Sequence, residues 1–173
     1  MSLIHIDYRI DKNRFCDVFW ENKDRGSWHH TCVSEYRRDL YWWRILIDDK
    51  RNWNKHLLPY TNIVAADLNI LGMDNYPRFN YYFPNHQLPH HVDPDNMVAI
   101  NINLLNTIPT IHIEHQPYEY ECALIDVGGK MHGIEPDPNP RLVLKFCLRH
   151  PWDEVYERLD KIGLITSNGS EKV

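Results

Sequence analysis

The chain has 173 residues and a net charge of −5 with histidine neutral, which suits one globular domain and argues against nucleic acid as a partner, because nucleic-acid binders usually carry a basic face. Hydrophobic residues make up 43% and charged residues 25% of the sequence, a composition typical of a soluble protein with a substantial core. Met1 to Asp11 contains no apolar run of signal-peptide length and no window is apolar enough to span a bilayer, so the cytoplasm is the expected compartment.

The first 75 residues are predicted to be mostly helical. Residues 12–22 place apolar side chains at helical spacing, and residues 53–72 repeat that pattern, with Gly72 as the expected stop. Between them, the segment YWWRILI (41–47) favours a strand because aromatic and β-branched residues predominate. One aromatic cluster of this half is expected to pack as core between the helices and a sheet; it comprises Trp28, Tyr41, Trp42, Trp43 and Trp53.

After Gly72 the hydrophobic period changes from helical to alternating. Six runs read as strands and are separated by Pro- and Gly-containing turns; they are 78–83, 97–103, 110–115, 118–127, 132–135 and 141–148. Short strands at this spacing are typical of a sandwich or barrel. We therefore predict a mainly β single domain over 1–173, with a jelly-roll core at 76–150 and a closing helix within 151–165.

Three side chains form a candidate metal site. On an extended backbone His91 and Asp93 point to the same side, because the side-chain period is two. His132 begins a later strand, beside Gly133. Two histidines and one carboxylate on one face of a metal ion form the facial triad of non-haem iron(II) oxygenases, which leaves positions open for co-substrate and dioxygen. The alternative is a surface turn at His91 and Asp93 and a capping histidine at His132.

The pattern H-x-D, a distal His and a following Arg resembles the core signature of the iron(II)/2-oxoglutarate oxygenase superfamily, over roughly residues 78–150. The lead-in from Asn80 and Tyr82 to His91 is similar to the AlkB-type version, whereas the spacing from His132 to Arg141 looks more like the aspartyl/asparaginyl β-hydroxylase branch. Val143 departs from the pattern, because Ser or Thr often stands two residues after the arginine.

This resemblance implies a double-stranded β-helix (jelly-roll, cupin-like) barrel packed on the N-terminal helices. It implies that His91, Asp93 and His132 hold Fe(II), and that Arg141 pairs with the distal carboxylate of 2-oxoglutarate, which suits a planar guanidinium. It also implies hydrogen bonds from Tyr82 and Asn80 to the co-substrate. Arg149 is an alternative to Arg141 for the carboxylate.

Alternation along the last strand supports a pocket. The apolar residues Leu142, Leu144, Phe146 and Leu148 share one face, and Arg141, Val143, Lys145 and Cys147 share the other. If the leucine face packs on the helices, Arg141 faces the barrel interior, where a buried arginine needs an anion. In the segment IHIEH, His112 and His115 are expected on opposite strand faces.

The sequence thus predicts an Fe(II)/2-oxoglutarate-dependent dioxygenase that hydroxylates a small molecule, an amino acid or a protein side chain in a peptide. The first alternative is a cupin-like metalloenzyme that does not use 2-oxoglutarate, although cupins typically show H-x-H followed by Glu. The second is a non-catalytic jelly-roll binding module.

Overall fold

The computed structural model describes residues 2–29, 42–48, 50–93 and 97–165. Three α-helices lie there, α1 at Lys12–Asn22, α2 at Leu58–Asp67 and α3 at Trp152–Lys161, with short 3-10 turns at Lys23–Arg25 and Lys55–Leu57. The strands in the same residues are β1 Leu3–His5, β2 Ser27–His29, β3 Trp42–Leu46, β4 Asn75–Tyr82, β5 Leu88–His91, β6 Val98–Asn103, β7 Thr110–Ile113, β8 Gln116–Glu119, β9 Cys122–Ile125, β10 His132–Ile134 and β11 Arg141–Leu148. No described helix combines the length and apolar character that crossing a bilayer requires.

The described strands form two antiparallel sheets. The large sheet has the order β1-β9-β6-β11-β4-β3-β2, and the small sheet has the order β5-β10-β7-β8. Strands adjacent in sequence often lie in different sheets, because the chain passes back and forth between the two layers. This arrangement is the jelly roll expected from the spacing of the strands, and the predicted mainly β class is confirmed.

The helices cover the outer face of the large sheet. Phe19 of α1 lies 5.9 Å, centroid to centroid, from Phe79 of β4, and Val64 of α2 and Leu159 of α3 are buried in the same cluster. The even-numbered residues of β11 belong to this cluster, as the alternation predicted; they are Leu142, Leu144, Phe146 and Leu148. The odd-numbered face of β11 therefore looks inward, between the sheets.

Residues 1–75 contain α1 and α2 and, in addition, three strands of the large sheet. Strand β3 forms within the segment YWWRILI and pairs with β4, whereas β1 and β2 have only three residues each and too little alternation to be recognised. Tyr41, the first residue of that segment, lies outside the described residues, as do residues 30–40. That the whole chain is one domain stays a prediction.

Three expectations were wrong. Helix α2 ends at Asp67, not near Gly72, because Asn69 takes a positive φ of 56° and turns the chain. The run 118–127 breaks at Tyr120 into β8 and β9, which lie in different sheets. The tryptophans do not form one core, since Trp28 and Trp53 are 55% and 43% exposed and Trp42 lies inside the barrel.

Candidate metal centre

The three predicted ligands meet inside the barrel. His91 ends β5 and His132 begins β10, and the two residues face each other across the antiparallel pair. Asp93 follows two residues after His91, where its backbone N–H donates to Val127 O at 2.9 Å and fixes the chain as it leaves the strand. One ligand atom from each of the three residues lies within 4.8 Å of the other two.

Backbone carbonyls orient both imidazole rings. His91 Nδ1 lies 2.8 Å from Pro89 O, and His132 Nδ1 lies 3.2 Å from Lys130 O. A carbonyl only accepts, so each Nδ1 carries the proton and donates it, which leaves Nε2 of each ring directed at the carboxylate. Nε2 of His91 is 3.3 Å from Asp93 Oδ1, and Nε2 of His132 is 4.0 Å from Asp93 Oδ2.

The protonation states of His132 and Asp93 suit a divalent cation. Burial, then the ammonium of Lys145, lower the pKa of His132 to about 4, against the weaker opposing effect of Asp93, so its imidazole is neutral at pH 7. Burial raises the pKa of Asp93, but Lys145 and the two histidines outweigh it and hold that pKa well below its usual range. A neutral imidazole and an ionised carboxylate are the forms that ligate metals.

A cavity of about 280 Å³ opens beside the trio, between the two sheets. This volume is close to the lower end of small-ligand pockets, roughly 300 Å³. The sequence-predicted co-substrate residues Asn80, Tyr82 and Arg141 line it together with His91, Asp93 and His132. Arg149 lines a separate groove instead, with its guanidinium 4.8 Å from the ring centroid of Tyr76.

Asn80 and Tyr82 are buried and hydrogen-bonded to each other. Asn80 Nδ2 donates to the Tyr82 hydroxyl at 3.0 Å, which leaves the hydroxyl proton available for a ligand in the cavity. Burial raises the pKa of Tyr82 to about 12, so the phenol stays a neutral donor at pH 7. Asn80 Oδ1 is buried and has no hydrogen-bond partner among the described residues.

Arg141 is 7% exposed and already has protein partners. One terminal nitrogen donates to Thr110 O, and the other lies 3.7 Å from Asp137 Oδ2. This ion pair with Asp137 is an alternative to a co-substrate role for Arg141. A guanidinium has five N–H donors, however, so these two contacts leave donors for a carboxylate in the cavity.

Three further cations in this cavity were not singled out from the sequence. Lys145 Nζ lies 3.6 Å from Asp93 Oδ2, and Arg44 and Arg78 line the same wall. Strand alternation could have found them, since Lys145 shares a strand face with Arg141, and Arg78 shares one with Asn80 and Tyr82.

The expected separation of His112 and His115 was wrong. Strand β7 ends at Ile113, and Glu114 and His115 take positive φ angles of 50° and 66° in a tight hairpin turn. Both rings therefore lie near His90, at centroid distances of 6.2 Å for His112 and 4.7 Å for His115. This cluster does not line the cavity that holds His91.

The sequence matches no protein-family model and no curated protein. The fold is similar to that of solved 2-oxoglutarate oxygenases. A Pseudomonas putida prolyl-4-hydroxylase has 15% identity and a TM-score of 0.56 over 80% of this chain and 86% of its own. A Trichoplax adhaerens prolyl hydroxylase in complex with a hypoxia-inducible-factor peptide fragment has 12% identity and a TM-score of 0.55 over 84% and 81%.

A Burkholderia pseudomallei oxidoreductase of the 2OG-Fe(II) oxygenase family has 13% identity and a TM-score of 0.54 over 79% of each chain. At such identities these likenesses show the fold, which is the predicted double-stranded β-helix, and nothing finer. The resemblance to the AlkB-type or aspartyl/asparaginyl hydroxylase branch stays a prediction.

Proposed function

We propose that this protein is an Fe(II)/2-oxoglutarate-dependent oxygenase that hydroxylates a small molecule, an amino acid or a peptide side chain. One observation carries the proposal: ligand atoms of His91, Asp93 and His132 lie within 4.8 Å of one another inside a jelly-roll cavity. Two imidazoles and one carboxylate are the ligand set of non-haem Fe(II) oxygenases. The fold shared with solved 2-oxoglutarate oxygenases supports the same assignment.

The residues present fit the metal and the co-substrate. His91, Asp93 and His132 would hold Fe(II), which would supply the chemistry of dioxygen activation when bound. Arg141 would pair with the distal carboxylate of 2-oxoglutarate, while Tyr82 would donate its free hydroxyl proton to the co-substrate. The two carbonyls that fix the imidazole rings keep both Nε2 atoms aimed at one point, so little reorganisation is needed on metal binding.

Apolar side chains also form part of the cavity wall. Trp42, Leu88, Ile111 and Ile134 line the cavity beside the polar residues, and all four are less than 9% exposed. Such walls would strengthen the pairing between Arg141 and a carboxylate, because charges interact more strongly in surroundings of low dielectric constant. The same walls would keep an oxidising reaction away from bulk solvent.

The test is to bind Fe(II) anaerobically and then add 2-oxoglutarate. A weak visible charge-transfer band is expected from the wild type, and it should be absent from a folded His132→Ala variant. A wild-type protein that binds iron but gives no band would refute the use of 2-oxoglutarate and favour the cupin-like alternative. Folded wild-type protein that binds no divalent metal would refute the oxygenase altogether.

A metal-free binding module is the second candidate function, and Lys145 favours it. The Lys145 ammonium lies 3.6 Å from Asp93 Oδ2 and its side chain is 10% exposed, so the site already holds a cation beside its carboxylate. A buried ammonium at this position opposes a divalent cation through like-charge repulsion. Failure to bind Mn(II) in the wild type together with tight Mn(II) binding by Lys145→Met would support this second function.

A further inference from the structure

The inner face of the large sheet carries a patch of positive charge beyond the predicted co-substrate residues. Lys145 of β11 lies directly opposite Arg78 of β4 in the ladder, and Arg44 of β3 lies opposite Asn80, two residues further along the same strand. Residues at such opposite and diagonal positions on one face lie within reach of one another. Arg44, Arg78 and Lys145 therefore form one continuous group, and we call it the arginine wall.

The two arginines of the wall have no acidic partner among the described residues, unlike the other cations around them. Lys145 faces Asp93, and Arg141 faces Asp137. Arg51, which lines the same groove as Arg149, lies 3.6 Å from Asp48. By contrast, the buried Nε atoms of Arg44 and Arg78 have no hydrogen-bond acceptor in the described part of the chain. Two buried donors on like charges are costly to a fold unless a ligand satisfies them.

Like-charge crowding at the wall is also visible in its electrostatics. Burial, and after it the neighbouring guanidinium of Arg78, lower the pKa of Arg44 to about 10. An anion placed between the two side chains would relieve both effects at once. Arg44 and Arg78 line the metal cavity and also the groove that contains Arg149, so these two side chains border both spaces.

We propose that Arg44 and Arg78 form an anion subsite that holds a carboxylate or phosphate group of the substrate to be oxidised. The inference rests on the proposed oxygenase function and adds to it the chemical class of the substrate. The two arginines of the wall, Arg44 and Arg78, lie on β3 and β4, whereas Arg141 begins β11 beside Thr110 and Asp137. A substrate anchored at the wall would thus leave Arg141 free for the co-substrate and place its own carbon skeleton beside His91, Asp93 and His132.

The experiment measures anion binding to full-length protein loaded with Mn(II) and 2-oxoglutarate, so that the co-substrate position is already filled. Inorganic phosphate, acetate and neutral acetamide are titrated separately by calorimetry. We expect phosphate or acetate to bind and acetamide not to bind, and the anion that binds identifies phosphate or carboxylate as the preferred group. Arg44→Gln and Arg78→Gln should each lower the affinity for that anion at least tenfold. Arg51→Gln is the control, because Arg51 lies in the groove and is already paired with Asp48, and it should leave the anion affinity unchanged.

Affinity for 2-oxoglutarate separates this proposal from the function on which it rests. It should stay within twofold of the wild type in both variants; an equal loss of 2-oxoglutarate and anion binding would overturn the substrate subsite and assign the wall to the co-substrate. Anion binding that depends on both arginines in protein without metal would retain the subsite even if Mn(II) and 2-oxoglutarate fail to bind. No anion binding, or binding indifferent to both substitutions, would overturn it.

Thermal unfolding distinguishes loss of anion binding from misfolding of a variant. Arg44 is half-buried and its buried Nε has no acceptor among the described residues, so replacing it by an apolar side chain of similar length removes an unsatisfied donor and a partly desolvated charge. Arg44→Met should therefore raise the midpoint of thermal unfolding in anion-free buffer, and phosphate or acetate should raise the midpoint of the wild type but not of this variant. A lower midpoint for Arg44→Met in anion-free buffer would show that Arg44 serves the fold and would overturn the proposal.

Discussion

Gly133 holds the two strands of the candidate metal centre at their close spacing, and replacing it by alanine tests how tightly that spacing is set. A Cβ at this position would lie 2.5 Å from Cδ2 of His90 and 2.8 Å from the backbone oxygen of Leu88. The His90 ring can turn aside, but the Leu88 oxygen moves only if β5 moves. Strand β5 carries His91, so the strain from Gly133→Ala is passed directly to the pairing of His91 with His132.

The expected cost is that of overpacking a buried site, about 1–3 kcal/mol. For a domain of this size each kcal/mol shifts the thermal midpoint by about 2–4 °C, so a loss of roughly 2–12 °C should appear by calorimetry. Mn(II) affinity should fall by about tenfold, the low end of the loss seen when groups that orient metal ligands are disturbed.

Two further variants make the result specific. Gly163→Asn is the control, because a Cβ added at Gly163 would meet no heavy atom within 4 Å and asparagine tolerates the φ of +74° there. The thermal midpoint and the Mn(II) affinity of this variant should match those of the wild type. Adding His90→Ala to Gly133→Ala should recover only part of the stability, since the clash with Leu88 O persists. Wild-type stability and metal affinity in Gly133→Ala would refute the reasoning.

Three other predictions concern the trio and its neighbours. Asp93 has a folded pKa well below its unfolded value of about 3.9. Its stabilising contribution is therefore fully present above about pH 5 and declines progressively as the pH falls below the unfolded pKa toward the folded one. Urea unfolding of Asp93→Asn should depend less on pH between about 5 and 3 than that of the wild type. Arg141→Ala should lower the affinity for 2-oxoglutarate by more than about tenfold, the equivalent of one charge-assisted hydrogen bond, while calorimetry should give a Mn(II) affinity within threefold of the wild type. Equal losses of the two affinities would remove Arg141 from the co-substrate site. Saturating Mn(II) at about 100 times its Kd should stabilise the wild type by about 2.7 kcal/mol, and EDTA should reverse this; His132→Ala should show no such shift in thermal unfolding.

Strand alternation accounts for most of what the sequence could predict. The outward leucine face and inward arginine face of β11 follow from a period of two, and β11 begins and ends where the alternation does. The facing of His91 and His132 across β5 and β10 is different, because it depends on which strands pair, and pairing is not encoded in local spacing. The family resemblance, rather than the pattern, brought these two residues together.

Two of the wrong predictions, the end of α2 and the separation of His112 from His115, share a physical cause, which is a backbone turn at a residue other than glycine. Asn69, Glu114 and His115 all adopt positive φ without being glycine. Each reverses the chain at a point where the helical or alternating pattern of the sequence continues. Helix α2 therefore ends at Asp67, before the predicted Gly72, and the ring of His115 lies near His90, as that of His112 does. Short edge strands were missed for another reason: with three residues, β1 and β2 gain their stability from the neighbour they pair with rather than from their own sequence.

The charges around the cavity predict how its ligands should depend on one another. Four cationic side chains, Arg44, Arg78, Arg141 and Lys145, line it, and among the described residues Asp93 supplies the one carboxylate there, so a divalent cation enters a site that is already positive. Dianionic 2-oxoglutarate would offset that charge, and the gain must appear in both affinities because coupling between two ligands is reciprocal. We therefore expect 2-oxoglutarate to tighten Mn(II) binding by about 5- to 150-fold, the usual span of such coupling, and Lys145→Met to reduce the effect by removing one of the opposing charges. Equal Mn(II) affinity with and without 2-oxoglutarate, measured by calorimetry on the wild type, would mean that the two ligands do not share this cavity.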